Sequence, residues 1–270
     1  MVLFTYSHLA GALLPEPARY PFADRVAAVA AAGGSAIATT VDDLHRALAD
    51  SSPAELRAML AGHDVRIGEL EAIFGWFAGD NGPEDDVLRT AEMFGIPRIK
   101  TVVLPFPPFS VPEPDVLVER FARLCDRAAA SGSTVALEPV VIIPGFDHAA
   151  AHDLVRTVDR PGVGLVLDAW QVFRDPAGPA TVEALAAGHV AAVELTDGRA
   201  SAGTDLLDDC VNGRRLPGEG DFDLAGLLRA VRAKGIDPPL SAEVLSPALR
   251  ALTPADNAER TMAAIRPLLS

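Results

Sequence analysis

The chain has 270 residues, 49% of them hydrophobic, and a formal net charge of −14 at pH 7. This charge excludes a nucleic-acid partner, because such binding depends on clustered Lys and Arg side chains. There is no run of roughly 20 apolar residues to span a membrane, no basic leader, and no cysteine pattern typical of disulfides. We therefore predict a cytoplasmic protein without a membrane partner; the sequence is compatible with a homo-oligomer.

Strands and helices alternate along the sequence. The predicted strands are Val2–His8, Ser35–Thr39, Val65–Ile73, Arg98–Leu104, Thr134–Val140, Val163–Trp170, Val190–Asp197 and Leu240–Leu245. The predicted helices are Phe22–Ala32, Val41–Ala61, Glu84–Phe94, Glu113–Ala130, His148–Thr157, Thr181–Ala187, Leu224–Lys234 and Pro254–Leu269. Eight βα units of regular length predict an α/β fold, a single (β/α)8 TIM-barrel domain over residues 1–270. An open doubly wound sheet is the alternative, but the sequence has neither GxGxxG after the first strand nor GxxxxGK[ST].

Four carboxylates stand at the C-terminal ends of the last four predicted strands. They are Glu138, Asp168, Glu194 and Glu243. Acidic residues are poor strand formers and are costly to bury without a partner, so four in consecutive strands indicate a shared positive charge. Oxygen ligands without Cys or His favour one Mg²⁺ or Mn²⁺ ion over Zn²⁺. The alternative is that some of them cap helices or form salt bridges in loops.

The segments LEP, LDAW, VELTD, RRLPGEGDFD and SAEV resemble the sugar phosphate isomerase/epimerase superfamily, the xylose isomerase-like TIM barrels. The resemblance covers essentially the whole chain and is strongest over residues 134–245. It implies a Glu–Asp–His/Gln–Glu quartet that binds one Mn²⁺ or Mg²⁺. Glu138, Asp168 and Glu243 match the first, second and fourth positions, whereas Glu194 occupies the third. A second departure is Gln171, where many members have His.

Further residues are candidates for substrate binding. In the family, an arginine in the region of the long loop 198–220 commonly contacts substrate. The resemblance therefore implies Arg215 as a substrate ligand and Arg199 as a second candidate. The other candidates are His8, Glu71, Trp76, Trp170 and Gln171. The phenylalanines of the third and fourth βα loops are predicted to form an apolar lid or to cover the barrel rim; they are Phe74, Phe77, Phe106 and Phe109.

The resemblance implies that Glu138 and Glu243 are catalytic and move a proton next to a carbonyl group, while the ion stabilises the resulting enediolate. We expect a metal-dependent isomerase or epimerase of a keto sugar, sugar acid or cyclitol. A dehydratase of 3-dehydroshikimate or 2-keto-inositol type is the alternative, and the PGEGDFDLAGLL stretch resembles such enzymes equally well. A binding protein without catalysis also remains open. The negative charge and few histidines exclude the family's zinc-dependent DNA-repair branch.

Overall fold

A computed structural model describes residues 2–78, 82–104 and 111–269 of the chain. Phe106 and Phe109 lie outside these ranges. Within them, eight strands form a closed barrel in the order β1 to β8. The hydrogen-bonded pairs β1–β2, β1–β8, β3–β4, β4–β5 and β5–β6 are all parallel. The strands are β1 (Val2–Phe4), β2 (Ala36–Thr39), β3 (Arg66–Ile73), β4 (Arg98–Val102), β5 (Thr134–Glu138), β6 (Gly164–Asp168), β7 (Val190–Leu195) and β8 (Leu240–Ala242). The predicted TIM barrel is therefore confirmed.

Helices follow each strand, sometimes as two or three short segments. They are α1 (Tyr6–Leu9), α2 (Phe22–Ala32), α3 (Val41–Ala49), α4 (Pro53–Gly62), α5 (Gly82–Phe94), α6 (Pro114–Ala130), α7 (His148–Val158), α8 (Ala169–Arg174), α9 (Gly178–Ala184), α10 (Leu206–Asn212), α11 (Leu224–Arg232), α12 (Pro247–Arg250) and α13 (Pro254–Ile265). Short 3₁₀ turns cover Trp76–Ala78, Ala187–His189 and Arg266–Leu268. None of the described helices has the length and apolar composition that a bilayer crossing requires.

The chain divides into two compact units. One comprises Met1–Gly68, Glu194–Gly226 and Pro239–Ser270, and the other Glu69–Val193 and Leu227–Pro238. Two of the borders fall inside strands, at Gly68 within β3 and at Val193 within β7. A single domain over residues 1–270 stays a prediction.

Close packing of helix on strand is visible in the first unit. A Cβ atom added at Gly34 would come within 2.8 Å of both Phe4 of β1 and Val29 of α2. Because both side chains are fully buried, glycine is the residue that allows them to pack at this point. α2 also packs against α13.

Several predicted elements differ in the structure. The strand predicted over Val163–Trp170 ends at Asp168, where α8 begins, and the predicted loop 198–220 contains α10. The helix predicted over Val41–Ala61 is interrupted after Ala49, and α4 restarts with Pro53 in its first turn and a Ser52–Glu55 capping box. The first strand ends at Phe4, and Tyr6–Leu9 forms a helical turn. The predicted strand Val2–His8 is therefore correct only over Val2–Phe4, because an apolar run this short does not distinguish strand from helix.

His8 lies in that helical turn rather than at the end of a strand, and it is buried. The main-chain N–H of Val244 donates to Nδ1 at 3.1 Å, so the neutral ring carries its proton on Nε2. Nε2 lies 2.9 Å from Oγ1 of Thr261, and the Asn257 amide donates to the His8 carbonyl. His8 thereby joins the loop after β8 to α13.

Burial lowers the pKa of His8 from 6.5 to about 4. His8 is therefore protonated near pH 6.5 in the unfolded chain but only near pH 4 in the folded protein. The contribution of His8 to stability is complete above pH 6.5, decreases as the pH falls from 6.5 to 4, and has lost about 3 kcal/mol below that range. We expect the free energy of unfolding to show this loss in urea denaturation at pH 7, 5.5 and 4.5.

The variant His8→Asn isolates this effect, because it removes the titrating ring. We expect its difference in stability from the wild type to shrink as the pH falls towards 4. His63→Asn is the control, since the His63 side chain is exposed. A wild type–His8→Asn difference that stays constant across the pH range would contradict the assignment.

Candidate metal centre

Four acidic side chains occupy the ends of strands β5 to β8. Glu138 and Asp168 are the last residues of β5 and β6, Glu194 is the next-to-last residue of β7, and Glu243 follows β8 directly. Side chains at the C-terminal ends of barrel strands are the ones that TIM-barrel enzymes use for chemistry.

The structure brings these four carboxylates together. Each offers one oxygen atom, and the four oxygens lie within 4.8 Å of one another. All four side chains are buried, with Asp168 completely inaccessible. Four oxygen atoms at this spacing could serve together as ligands of one cation. The residues thus fit a divalent cation, and an all-oxygen donor set is suited to a hard ion.

Asp168 is held by the helix that it starts. Its Oδ1 accepts a hydrogen bond from the main-chain N–H of Gln171 at 3.1 Å, which makes it the N-cap of α8. The Gln171 side chain accepts in turn from the main-chain N–H of Val141, in the loop after β5, at 2.9 Å. Gln171, a predicted substrate ligand, therefore links the loop that follows Glu138 to the first turn of the helix that Asp168 caps.

Glu194 and Glu243 each have a polar neighbour in the same unit. The Ser241 hydroxyl donates to Oε1 of Glu194 at 3.4 Å. The Arg214 guanidinium donates to the Glu243 carbonyl at 3.0 Å and to its Oε2 at 3.4 Å. Arg214 is buried and its Nε is fixed by the Cys210 carbonyl at 2.8 Å. A buried arginine thus holds the fourth carboxylate from both its main chain and its side chain.

The sequence pattern predicts Arg215 rather than its neighbour Arg214 as the functional arginine. An antiparallel bridge pairs Arg215 with Asp197 through two main-chain hydrogen bonds. Adjacent side chains of an extended segment point to opposite sides, so only one arginine of the pair can face Glu243. The sequence contains the doublet but not the register of this bridge.

A buried lysine, Lys100 of β4, accompanies Glu138. Its Nζ lies 3.4 Å from Oε2 of Glu138 and 4.0 Å from Oε1 of Glu71. Glu71, predicted to bind substrate, is therefore placed beside Lys100, and both are buried. The available signal was a lysine in the middle of the apolar strand RIKTVV, where an unpaired charge would be costly.

The two tryptophans predicted as walls of the substrate site are completely buried. Trp76 donates its indole N–H to the Val102 carbonyl at 3.0 Å and packs 5.1 Å from the Phe121 ring. The Arg174 guanidinium lies 5.5 Å from the centre of the Trp170 ring. Phe74, in contrast, is exposed. Contact of either tryptophan with substrate stays a prediction.

Arg199 and Arg215 line a cavity of about 750 Å³ together with Arg260, Asp209 and Glu219. None of the four clustered carboxylates, all of which lie in the described ranges, is among the residues that line it. The Arg215 side chain also donates to the Glu219 carbonyl. The proposed role of both arginines in substrate binding stays a prediction.

Two curated relatives share sequence with part of the chain. A 3-dehydroshikimate dehydratase of Pseudomonas aeruginosa is 32% identical over 149 residues, which is 54% of this chain and 23% of the relative. A 3-dehydroshikimate dehydratase of Pseudomonas putida is 30% identical over 106 residues, or 39% of this chain and 16% of the relative. The matches thus span at most about a quarter of the length of either relative.

Solved structures show the same fold over nearly the whole chain. The IOLI protein, solved with a bound zinc atom, has a TM-score of 0.83 at 20% identity and covers 100% of this chain and 98% of its own. D-psicose 3-epimerase from Clostridium cellulolyticum H10, solved with D-tagatose, has a TM-score of 0.74 at 13% identity, with coverage of 99% and 97%.

The family model described as "Xylose isomerase-like TIM barrel" matches residues 26–268. This range includes β2 to β8 and all four clustered carboxylates. The resemblance inferred from the sequence segments is thereby confirmed: the chain belongs to the xylose isomerase-like TIM barrel family.

Proposed function

We propose that the protein is a divalent-metal-dependent isomerase or epimerase that acts on a keto sugar, sugar acid or cyclitol by removing a proton next to the carbonyl group. The observation that carries this proposal is the convergence of four buried carboxylate oxygens within 4.8 Å. Such a set is unfavourable without positive charge and well suited to one Mn²⁺ or Mg²⁺ ion.

The chemistry divides between the ion and the side chains. When bound, a divalent ion supplies Lewis-acid stabilisation of negative charge that develops on the substrate's oxygens. Glu138 and Glu243 come from β5 and from the end of β8, and each stands beside a buried cation of its own unit. One carboxylate takes the proton from the carbon next to the carbonyl, and the other returns a proton to the neighbouring carbon or to the opposite face. Asp168 and Glu194 serve as ligands only.

A dehydratase is the second candidate, and a specific observation favours it. Both curated relatives at 32% and 30% identity are named 3-dehydroshikimate dehydratases. Such a reaction starts with the same proton removal and then expels a hydroxyl group from the next carbon, with Glu138 or Glu243 as the base. The two candidates thus differ in what happens after the first step, and the arrangement of carboxylates serves both.

We further propose that the substrate is a small polyol or keto sugar and that the protein works in the cytoplasm. Its two cysteines, Cys125 and Cys210, are both buried and are not joined in a disulfide, which agrees with a reducing compartment.

Metal binding tests the first part of the proposal. We expect isothermal titration calorimetry of the metal-free protein to show one Mn²⁺ per chain. Glu194→Gln should weaken this binding tenfold or more, a change of about 1.4 kcal/mol, because it removes one negative ligand. Ser241→Ala is the matched control, since it removes only the 3.4 Å hydrogen bond to Glu194. Absence of Mn²⁺ and Mg²⁺ binding by the wild type would refute the metal-dependent function.

Charge-neutral variants test the two catalytic glutamates. We expect Glu138→Gln and Glu243→Gln to lower kcat by roughly 10²–10⁴-fold, because an amide cannot accept the proton. The substrate for this measurement is a keto-polyol that the wild type converts. Glu84→Gln is the control, since Glu84 is equally buried but pairs with Arg123 and Arg127 on α6. Unchanged kcat in Glu138→Gln would remove Glu138 from the mechanism.

Product analysis distinguishes the two candidate reactions. We expect incubation of a ketohexose or a keto-cyclitol in D₂O to give solvent deuterium at a stereocentre, detected by NMR, without new ultraviolet absorption. A conjugated enone that absorbs in the ultraviolet would instead establish elimination and select the dehydratase.

A further inference from the structure

Lys100 is a cation inside the barrel that the proposed chemistry does not use. Its side chain is buried, although an ammonium group is among the most costly groups to bury. The register between β4 and β5 pairs Lys100 with Ala136 and Val102 with Glu138. Since side chains alternate along a strand, Lys100 shares a face with Val102 and Glu138 and stands one step below Glu138. Its side chain is long enough to reach up to that carboxylate.

Of the two carboxylates Glu138 and Glu71, Glu138 lies nearer to the Lys100 ammonium. Its Nζ lies 3.4 Å from Oε2 of Glu138, which is within salt-bridge distance, and 4.0 Å from Oε1 of Glu71, at the limit of that distance. All three side chains are nearly inaccessible to solvent, so water screens their interaction little. The ammonium therefore acts most strongly on the one of these carboxylates that also belongs to the four-oxygen cluster.

Another buried cation of β4, Arg98, pairs with a glutamate outside the four-carboxylate cluster. Arg98, two residues before Lys100, pairs with Glu69 and donates to the Ala191 carbonyl. Neither of these partners belongs to the cluster. Arg98 thus lies beside Glu69, whereas Lys100 lies beside Glu138, a carboxylate of the cluster.

We propose that Lys100 is a positioning residue for Glu138: its charge holds this carboxylate in the cluster when no metal ion is bound. Because the ion and the ammonium stabilise the same carboxylate, loss of Lys100 makes the protein more dependent on metal for its stability. The metal part of this inference rests on the proposed function. The pairing with Glu138 in the metal-free protein does not.

The first test compares the thermal stability of Lys100→Met with and without Mn²⁺. We expect the Tm of the metal-free variant to fall by roughly 5 °C or more, because a buried carboxylate loses its cation. We expect Mn²⁺ to raise Tm by more in Lys100→Met than in the wild type. Arg98→Met is the matched control: its Tm also falls, but the rise caused by Mn²⁺ equals that of the wild type. An equal Mn²⁺-induced rise in Lys100→Met and the wild type would overturn the metal part.

The second test uses metal-free protein only. We expect Lys100→Met to lower Tm less than half as much in a Glu138→Gln background as in the wild type, because the amide does not require a cation. Lys100→Arg, which keeps the charge, should recover part of the lost Tm. If Lys100→Met fails to fold, folding of the Lys100→Met/Glu138→Gln double variant gives the same support. Equal losses in both backgrounds, or a larger coupling with Glu71→Gln, would overturn the pairing.

The two tests separate the possible failures. If the wild type binds no Mn²⁺, the proposed function fails, and the coupling between Lys100 and Glu138 still decides the pairing. If Mn²⁺ binds but this coupling is absent, the proposed function stands and the role of Lys100 is refuted.

Discussion

The burial of four carboxylates within 4.8 Å of one another is the constraint on which the rest of the site depends. Like charges at this distance repel strongly where water is excluded, and each also loses its hydration. The fold can keep them ionised only by supplying positive charge or hydrogen-bond donors. Lys100 beside Glu138 and Arg214 beside Glu243 supply two cations. A divalent ion bound by the four carboxylate oxygens would supply further positive charge.

The hydrogen bonds around the cluster fix the main chain as much as the side chains. Asp168 caps α8, and the Gln171 side chain of that helix holds the N–H of Val141. Arg214 binds both the carbonyl and the carboxylate of Glu243. These contacts fix the main chain at the ends of β6 and β8. They therefore hold the carboxylates of Asp168 and Glu243 in position in the absence of an ion. Such preorganisation lowers the cost of binding, since the ligands do not have to be ordered by the ion.

The strand–helix alternation and the acidic strand ends could be predicted from the sequence, because both are local patterns. What could not be predicted depends on register. Arg214 and Arg215 are equivalent in the sequence, and only the bridge from Asp197 to Arg215 directs Arg214 towards Glu243. The contact between Lys100 and Glu138 could not be predicted either, because it depends on the register of β4 and β5, which places Lys100 one step below Glu138. His8 was predicted at a strand end, whereas it lies in a helical turn with both ring nitrogens held by Val244 and Thr261.

The negative charge of Glu194 affects the electrostatics of the whole cluster. The resemblance of the sequence implies a neutral His or Gln at this position, so a fourth carboxylate adds repulsion that a neutral side chain would not. The Ser241 hydroxyl, which donates to Glu194 at 3.4 Å, is uncharged and does not neutralise this carboxylate. Cations beside the other carboxylates and a bound divalent ion would offset the additional negative charge. Under the proposed function, a more negative site would hold a hard divalent ion more strongly, and the ion would withdraw less electron density from Glu138 and Glu243. An extra carboxylate at the third position is thus compatible with proton-transfer chemistry, provided that the buried cations keep the cluster together.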